Sequence, residues 1–148
     1  MRQNGKASTE KKTFSRQTSV TILIDADTKT IWDILTNSKD FPRWNSTIVS
    51  LEGKIKKGEK IKLVSTLDPK RTFNLKIKEA IPGQKLVWGD SMGNRNFLLE
   101  PTTDGKVNFS MTEKIGGPIF PLFAGMIPSF DEAFEQFAAD LKREAERK

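Results

Sequence analysis

Two charged side chains, Arg95 and Glu113, fall on positions where the surrounding alternation places apolar residues on the inner face of a sheet. Arg95 shares the parity of Phe97 and Leu99, and Glu113 shares that of Phe109 and Met111. A hairpin turning through Thr102 to Lys106 would set Leu99 opposite Phe109, Phe97 opposite Met111 and Arg95 opposite Glu113. The same register logic through Asp90 to Gly93 places Trp88 beside Arg95. The expected result is an inward ion pair, with cation–π support from Trp88. Such a guanidinium can anchor an acidic or carbonyl group of a ligand while Glu113 orients it; the plain alternative is an inert pair at the open end of a barrel. Proton-transfer chemistry has few carriers here. Among inward positions only Glu113, Ser65 and Glu79 could act, and a carboxylate beside a permanently charged guanidinium is a poor general acid near neutral pH.

Other chemistry is excluded by composition. His, Cys and Tyr are all missing from the 148 residues, which removes disulfides, thiolate nucleophiles, His or Cys metal sites and every triad that needs an imidazole. No metal-ligand spacing, Walker loop or GxGxxG pattern occurs, so no cofactor is expected. With 36% hydrophobic and 30% charged residues, the chain suits one globular domain.

The elements that must position these residues follow from periodicity. Residues 1–12 are polar and read as a disordered tail ahead of a single domain over 13–148. That segment has no apolar core resembling a secretory signal, and no run of 18 apolar residues exists, so the expected compartment is the cytoplasm. Val20, Ile22 and Ile24 mark a strand, and Asp27 or Thr28 caps a helix carrying Ile31, Ile34 and Leu35. Phe41 to Asn45 forms a bent helical turn, and Ile48 to Leu51 a short strand. A meander follows: Ile61, Leu63, Ser65 and Leu67 share a face, Asp68 to Arg71 turns, and Phe73, Leu75 and Ile77 continue. Pro82-Gly83, Gly93 and Asp104-Gly105 mark the later turns. Gly116-Gly117-Pro118 ends the sheet and opens an apolar linker, expected to lie across the barrel mouth or to act as a lid. Ile127, Phe130, Phe134, Phe137 and Leu141 then form the apolar stripe of a final helix.

This order resembles the START-like helix-grip superfamily (SRPBCC; polyketide cyclase/dehydrase and lipid-transport-like proteins). The resemblance spans about residues 16 to 146 and rests on Ile24-Asp25-Ala26 with Ile31-Trp32, on Phe41-Pro42-Arg43-Trp44-Asn45, and on Pro82-Gly83 with Leu86-Val87-Trp88. Phe97-Leu98-Leu99-Glu100-Pro101 with Asp104-Gly105, Glu113 with Gly116, and the closing Leu141 to Glu146 complete it. It implies an α+β helix-grip fold: a curved seven-stranded antiparallel sheet around a long C-terminal helix, with two short helices between strands 1 and 2. It also implies an internal cavity for a hydrophobic small molecule such as a lipid, polyketide or quinone. The superfamily holds two further possibilities, a cyclase or dehydratase and a protein-binding domain related to heat-shock ATPase activators. Expected lining residues are Leu63, Ser65, Phe73, Leu75, Ile77, Trp88, Phe97, Leu99, Phe109 and Met111 from strands, and Phe130, Phe134 and Phe137 from the helix, with Trp44 closing one end. Arg95 and Glu113 supply the polar contacts.

The net charge of +6 is uneven. Residues 53–78 hold nine basic and two acidic side chains, a local +7. Outward lysines there would guard edge strands against sheet-to-sheet pairing. The rival reading is docking to an anionic membrane through Lys54, Lys56, Lys57, Lys60 and Lys62. Nucleic acid is not expected, because that face interleaves no aromatic residues for stacking.

Overall fold

The alternation of residues 15–24 builds strand β2 (Ser15–Ile24), with Val20 and Ile24 buried and Gln17 in solvent. In the computed structural model, which describes residues 4–117 and 120–147 apart from the side chains of Phe123 and Met126, β2 is followed by α1 (Thr28–Thr36), a 3-10 turn and α2 (Phe41–Trp44). Asp27 caps α1 by accepting from the Thr30 amide at 2.8 Å. Six strands come next: β3 (Ile48–Glu52), β4 (Lys60–Ser65), β5 (Asp68–Ile81), β6 (Lys85–Gly89), β7 (Gly93–Pro101) and β8 (Val107–Gly116). After them, α3 (Phe120–Phe123) and a second 3-10 turn lead into α4 (Asp131–Glu146). Pro118 and Ile119 of the expected lid lie outside the described residues.

All strand pairings are antiparallel, and with β1 (Ser8–Lys11) at one edge the order is β1-β2-β8-β7-β6-β5-β4-β3. The helix-grip architecture is as expected, with eight strands in place of seven. The extra one is β1 (Ser8–Lys11), from the segment expected to be a disordered tail. Its polar side chains do not oppose pairing, because a ladder is made by main-chain groups and β2 offers a free edge. They also find partners, since the Thr9 hydroxyl bonds both Thr18 and Asp131, and just before the strand the Ala7 amide donates to Glu135.

Two further expectations change. Asp68 to Arg71, read as a turn, begins β5 instead; the chain reverses at Thr66-Leu67, with Ser65 paired to Asp68. Second, the lysines do not sit on an edge strand. β3 is the edge on that side and carries none, whereas Lys60 and Lys62 belong to β4 and Lys76 and Lys78 to β5, both internal. Edge protection therefore does not account for them.

The sheet wraps α4, whose Phe134, Phe137, Ala138, Leu141 and Ala145 are buried. Its charged positions tie it down as well. Asp140, 1% exposed, accepts from the Ser46 amide and hydroxyl at 2.8 Å each, from Gln136 at 2.8 Å and from Arg143 at 3.0 Å. Glu144 binds Arg43 of α2, while Lys142 donates to the Leu23 carbonyl and Glu146 accepts the Asp25 amide. Burial works to raise the Asp140 pKa, but the Ser46 and Gln136 donors and the Arg143 charge outweigh it and hold the carboxyl below its ordinary value.

A carboxyl with a lowered folded-state pKa contributes stability above its unfolded value and loses it as pH falls through the folded one. The contribution of Asp140 is therefore present at neutral pH and lost below about pH 4. Asp140→Ala is expected to cost about 2–3 kcal/mol at pH 7, and to cost less at pH 3, in urea-unfolding curves of the two chains.

Candidate functional site

At the end of the grip nearest the start of α4, the sheet and helix do not meet. They leave a cavity of about 400 Å³. Leu63 and Ser65 of β4, Phe73 and Leu75 of β5, Trp88 and Gly89 of β6, and Ile115 of β8 supply its largely apolar strand walls. Ile127, Pro128 and Phe130 line it from the segment before α4, and exposed Asp68 and Arg71 mark its opening. Arg16 of β2 fastens that segment, donating to the carbonyls of Ile127 at 3.1 Å and Ala124 at 3.2 Å.

Arg95 and Glu113 are placed in this cavity by strand register. The pairings Trp88–Arg95, Arg95–Glu113, Phe97–Met111 and Leu99–Phe109 all form as the alternation predicts. Arg95 Nε donates to Glu113 Oε1 at 2.7 Å, with the two side chains 12% and 19% exposed. The aromatic support differs from expectation. Trp88 turns edge-on to Phe97, at 4.7 Å between centroids, and the guanidinium lies instead over Phe134 at 4.9 Å and Phe137 at 5.9 Å. Register fixes which strand residues are neighbours, but the helix provides the broad apolar shelf onto which a guanidinium can lay its face. Among the described residues the two Nη groups of Arg95 have no hydrogen-bond partner, so the outer edge of its planar fork is free to receive an acceptor.

The expected lining residues divide in two. Ser65, Phe73, Leu75, Trp88, Arg95, Glu113 and Phe130 come together around the cavity, with Leu63. Trp44, Phe97, Phe109, Met111 and Phe134 do not line it; they are core residues, none more than 4% exposed, as are Ile77, Leu99 and Phe137. Trp44 closes no entrance, because it packs on Phe41 and Phe137. Residues that sequence reasoning missed are Leu67, Asp68, Arg71, Gly89, Asp90, Met92, Gly93, Asn94, Ile115, Ile127 and Pro128. For Arg71 the signal was available: it shares the parity of Phe73 and lies 4.5 Å over that ring. Met92 and Asn94 belong to a hairpin end whose approach to β5 is a tertiary fact; Lys78 bonds Asn94 Oδ1 there. No cluster of three or more acidic residues able to hold a metal occurs among the described residues.

A family model described as Activator of Hsp90 ATPase homolog 1-like protein matches residues 25–144. No curated protein matches the chain. Among solved structures, a START superfamily protein from Mycobacterium smegmatis superposes with a TM-score of 0.63 at 17% identity, over 88% of this chain and 97% of that one. A conserved protein of unknown function from Enterococcus faecalis gives 0.68 at 13% identity, over 95% of this chain and 77% of that one. A hypothetical protein from Helicobacter pylori gives 0.70 at 9%, over 86% of each. Likeness at these identities shows the fold alone.

The division between wall and core has a measurable consequence. Phe109→Ala, in the filled part of the grip, is expected to cost about 3–5 kcal/mol. Phe73→Ala, on the cavity wall, is expected to cost about 1 kcal/mol, because the removed ring already borders open space. Denaturation midpoints of the two variants check the contrast.

Proposed function

The chain belongs to the Activator of Hsp90 ATPase homolog 1-like family, and from that membership and its cavity we propose that it binds a hydrophobic small molecule bearing one acidic or carbonyl group. One observation carries the reading. An arginine held at its Nε by Glu113, supported from the side by aromatic rings, leaves its remaining donors unpaired beside an apolar cavity. That is the arrangement a ligand site needs: apolar walls for affinity and a few fixed polar groups for orientation. The guanidinium would take the ligand's acceptor in a two-point contact, and Phe73, Leu75 and Phe130 would take its apolar part. Lipids, polyketides and quinones with such a group fall within the proposed class. A cyclase- or dehydratase-like activity would have to use Glu113 and water, and Glu113 is already engaged with Arg95.

The family description supports a second reading, a protein-binding role toward a heat-shock ATPase. The cavity favours the first, since a protein partner needs no interior space.

Calorimetric titration with dodecanoate and dodecanol tests the proposal. The wild-type chain is expected to bind dodecanoate more tightly than dodecanol. Arg95→Met should remove that preference, and Glu113→Gln, which keeps the guanidinium and removes the competing carboxylate charge, should retain or increase it. Wild-type and Arg95→Met chains that are both folded and bind the two probes alike would overturn the anchor role. Absence of any binding, together with stoichiometric complex formation with an Hsp90 chaperone in native mass spectra, would favour the second reading.

A further inference from the structure

We propose that the outward face of β4 and β5, with the loop joining β3 to β4, docks electrostatically on an anionic lipid bilayer. The sequence concentrates lysine there and the fold concentrates it again. Lys60 and Lys76 are direct cross-strand partners, both exposed, since Ile61 and Ile77 take the inner face. Like charges directly opposite one another on a sheet are destabilising, so this pair carries a standing cost.

The loop adds to it. Gly53 turns at φ +114, where a Cβ would come within 2.6 Å of the Lys60 carbonyl, so the turn is closed tightly on β4. Gly58 then donates to the Ile77 carbonyl and Ile77 donates to the Glu59 carbonyl, each at 2.8 Å. These two bonds clip the loop to β5 between Lys76 and Lys78, bringing the Lys56–Lys57 stretch alongside. Lys54, Lys56, Lys57, Lys60, Lys62 and Lys76 have no ion pair or side-chain hydrogen bond among the described residues. Elsewhere on the surface Lys29, Arg43, Lys85 and Lys142 each have an acidic partner. Lys78 alone of the group is engaged, with the Asp90 carbonyl and Asn94. The result is a preformed cationic face on internal strands, where edge protection is not needed.

The chemistry of the face favours a bilayer over nucleic acid. Every cation is a lysine, a compact charge on a flexible stem that can follow a mobile headgroup layer, and arginine, the better fork for fixed phosphates, is absent from it. Its other outward residues, Glu59 in the loop and Val64, Lys70, Thr72 and Asn74 on the strands, offer no aromatic ring for base stacking. Each lysine near an anionic surface is attracted to it, so several acting together suffice for reversible, salt-sensitive attachment.

Flotation of the full chain with vesicles of phosphatidylcholine and phosphatidylglycerol, mixed at about 7:3, tests this. The chain is expected to float with these vesicles in about 50 mM salt, to be released in about 500 mM, and to ignore vesicles of phosphatidylcholine alone. The double variant Lys56→Glu/Lys60→Glu should bind about tenfold or more weakly. It puts a carboxylate opposite Lys76, so its melting temperature should hold or rise, separating lost docking from lost folding. Lys11→Glu, on β1 at the opposite edge of the sheet, should stay within about twofold of wild type. Equal flotation on neutral vesicles, a double variant that binds like wild type, or equal loss in Lys11→Glu would overturn the proposal. So would salt-sensitive binding to a short DNA duplex without vesicle binding. Dodecanoate titration of the double variant reads the cavity separately, so failure of one proposal leaves the other to its own test.

Discussion

The ring of Phe137 holds the molecule together. Phe41, Trp44, Phe97 and Phe109 all lie within 6.5 Å of it, centroid to centroid, so α2, the sheet and α4 meet on one side chain. A strongly curved sheet leaves a wide trough, and aliphatic side chains from one helix would fill it poorly. Large flat rings fill it with few rotamers to immobilise, and their tilted packing adds to what burial alone provides. Phe134, one turn earlier, continues the same stripe to the place where Arg95 rests.

The cavity follows from where that stripe ends. α4 starts at Asp131 and its first buried ring is Phe134, whereas residues of β5, β7 and β8 ahead of it line open space. Sheet that outruns helix must either collapse or enclose space. The chain covers the gap with Ile127, Pro128 and Phe130, and Arg16 pins that cover through two main-chain carbonyls. A partly buried ion pair is tolerable at this end because each charge has a partner and the guanidinium face lies on aromatic rings. The opposite end is closed by polar fastenings, with Asp140 on Ser46, Glu144 on Arg43 and Glu146 on the Asp25 amide. One helix thus has a sealed end and an open end, and every candidate ligand contact lies at the open one.

Charge is segregated between the faces of the sheet. Inside, Arg95 and Glu113 neutralise each other; outside, Lys60 and Lys76 oppose one another without a counter-ion among the described residues. Pairing is enforced where water is scarce and is dispensable where solvent screens the charges.

Alternation and turn chemistry by themselves determined the strand partners of the C-terminal meander, and with them the Arg95–Glu113 pair, because side-chain direction in a strand has period two and a short hairpin fixes register. They also determined the Phe134, Phe137 and Leu141 stripe of α4, though Ile127 and Phe130, read into the same helix, precede its start at Asp131, and they determined the resemblance to a helix-grip fold, carried by local spacing. Tertiary structure alone decided which inward residues line space and which fill it. Phe73 and Phe109 have the same inward alternation, yet one borders the cavity and the other is fully buried, according to how far along the trough α4 reaches. It likewise decided that residues 8–11 become a strand, that Phe134 and not Trp88 faces the guanidinium, and that the lysines lie on internal strands. Each depends on a contact between segments distant in sequence, and periodicity within a segment carries no record of what another segment leaves uncovered.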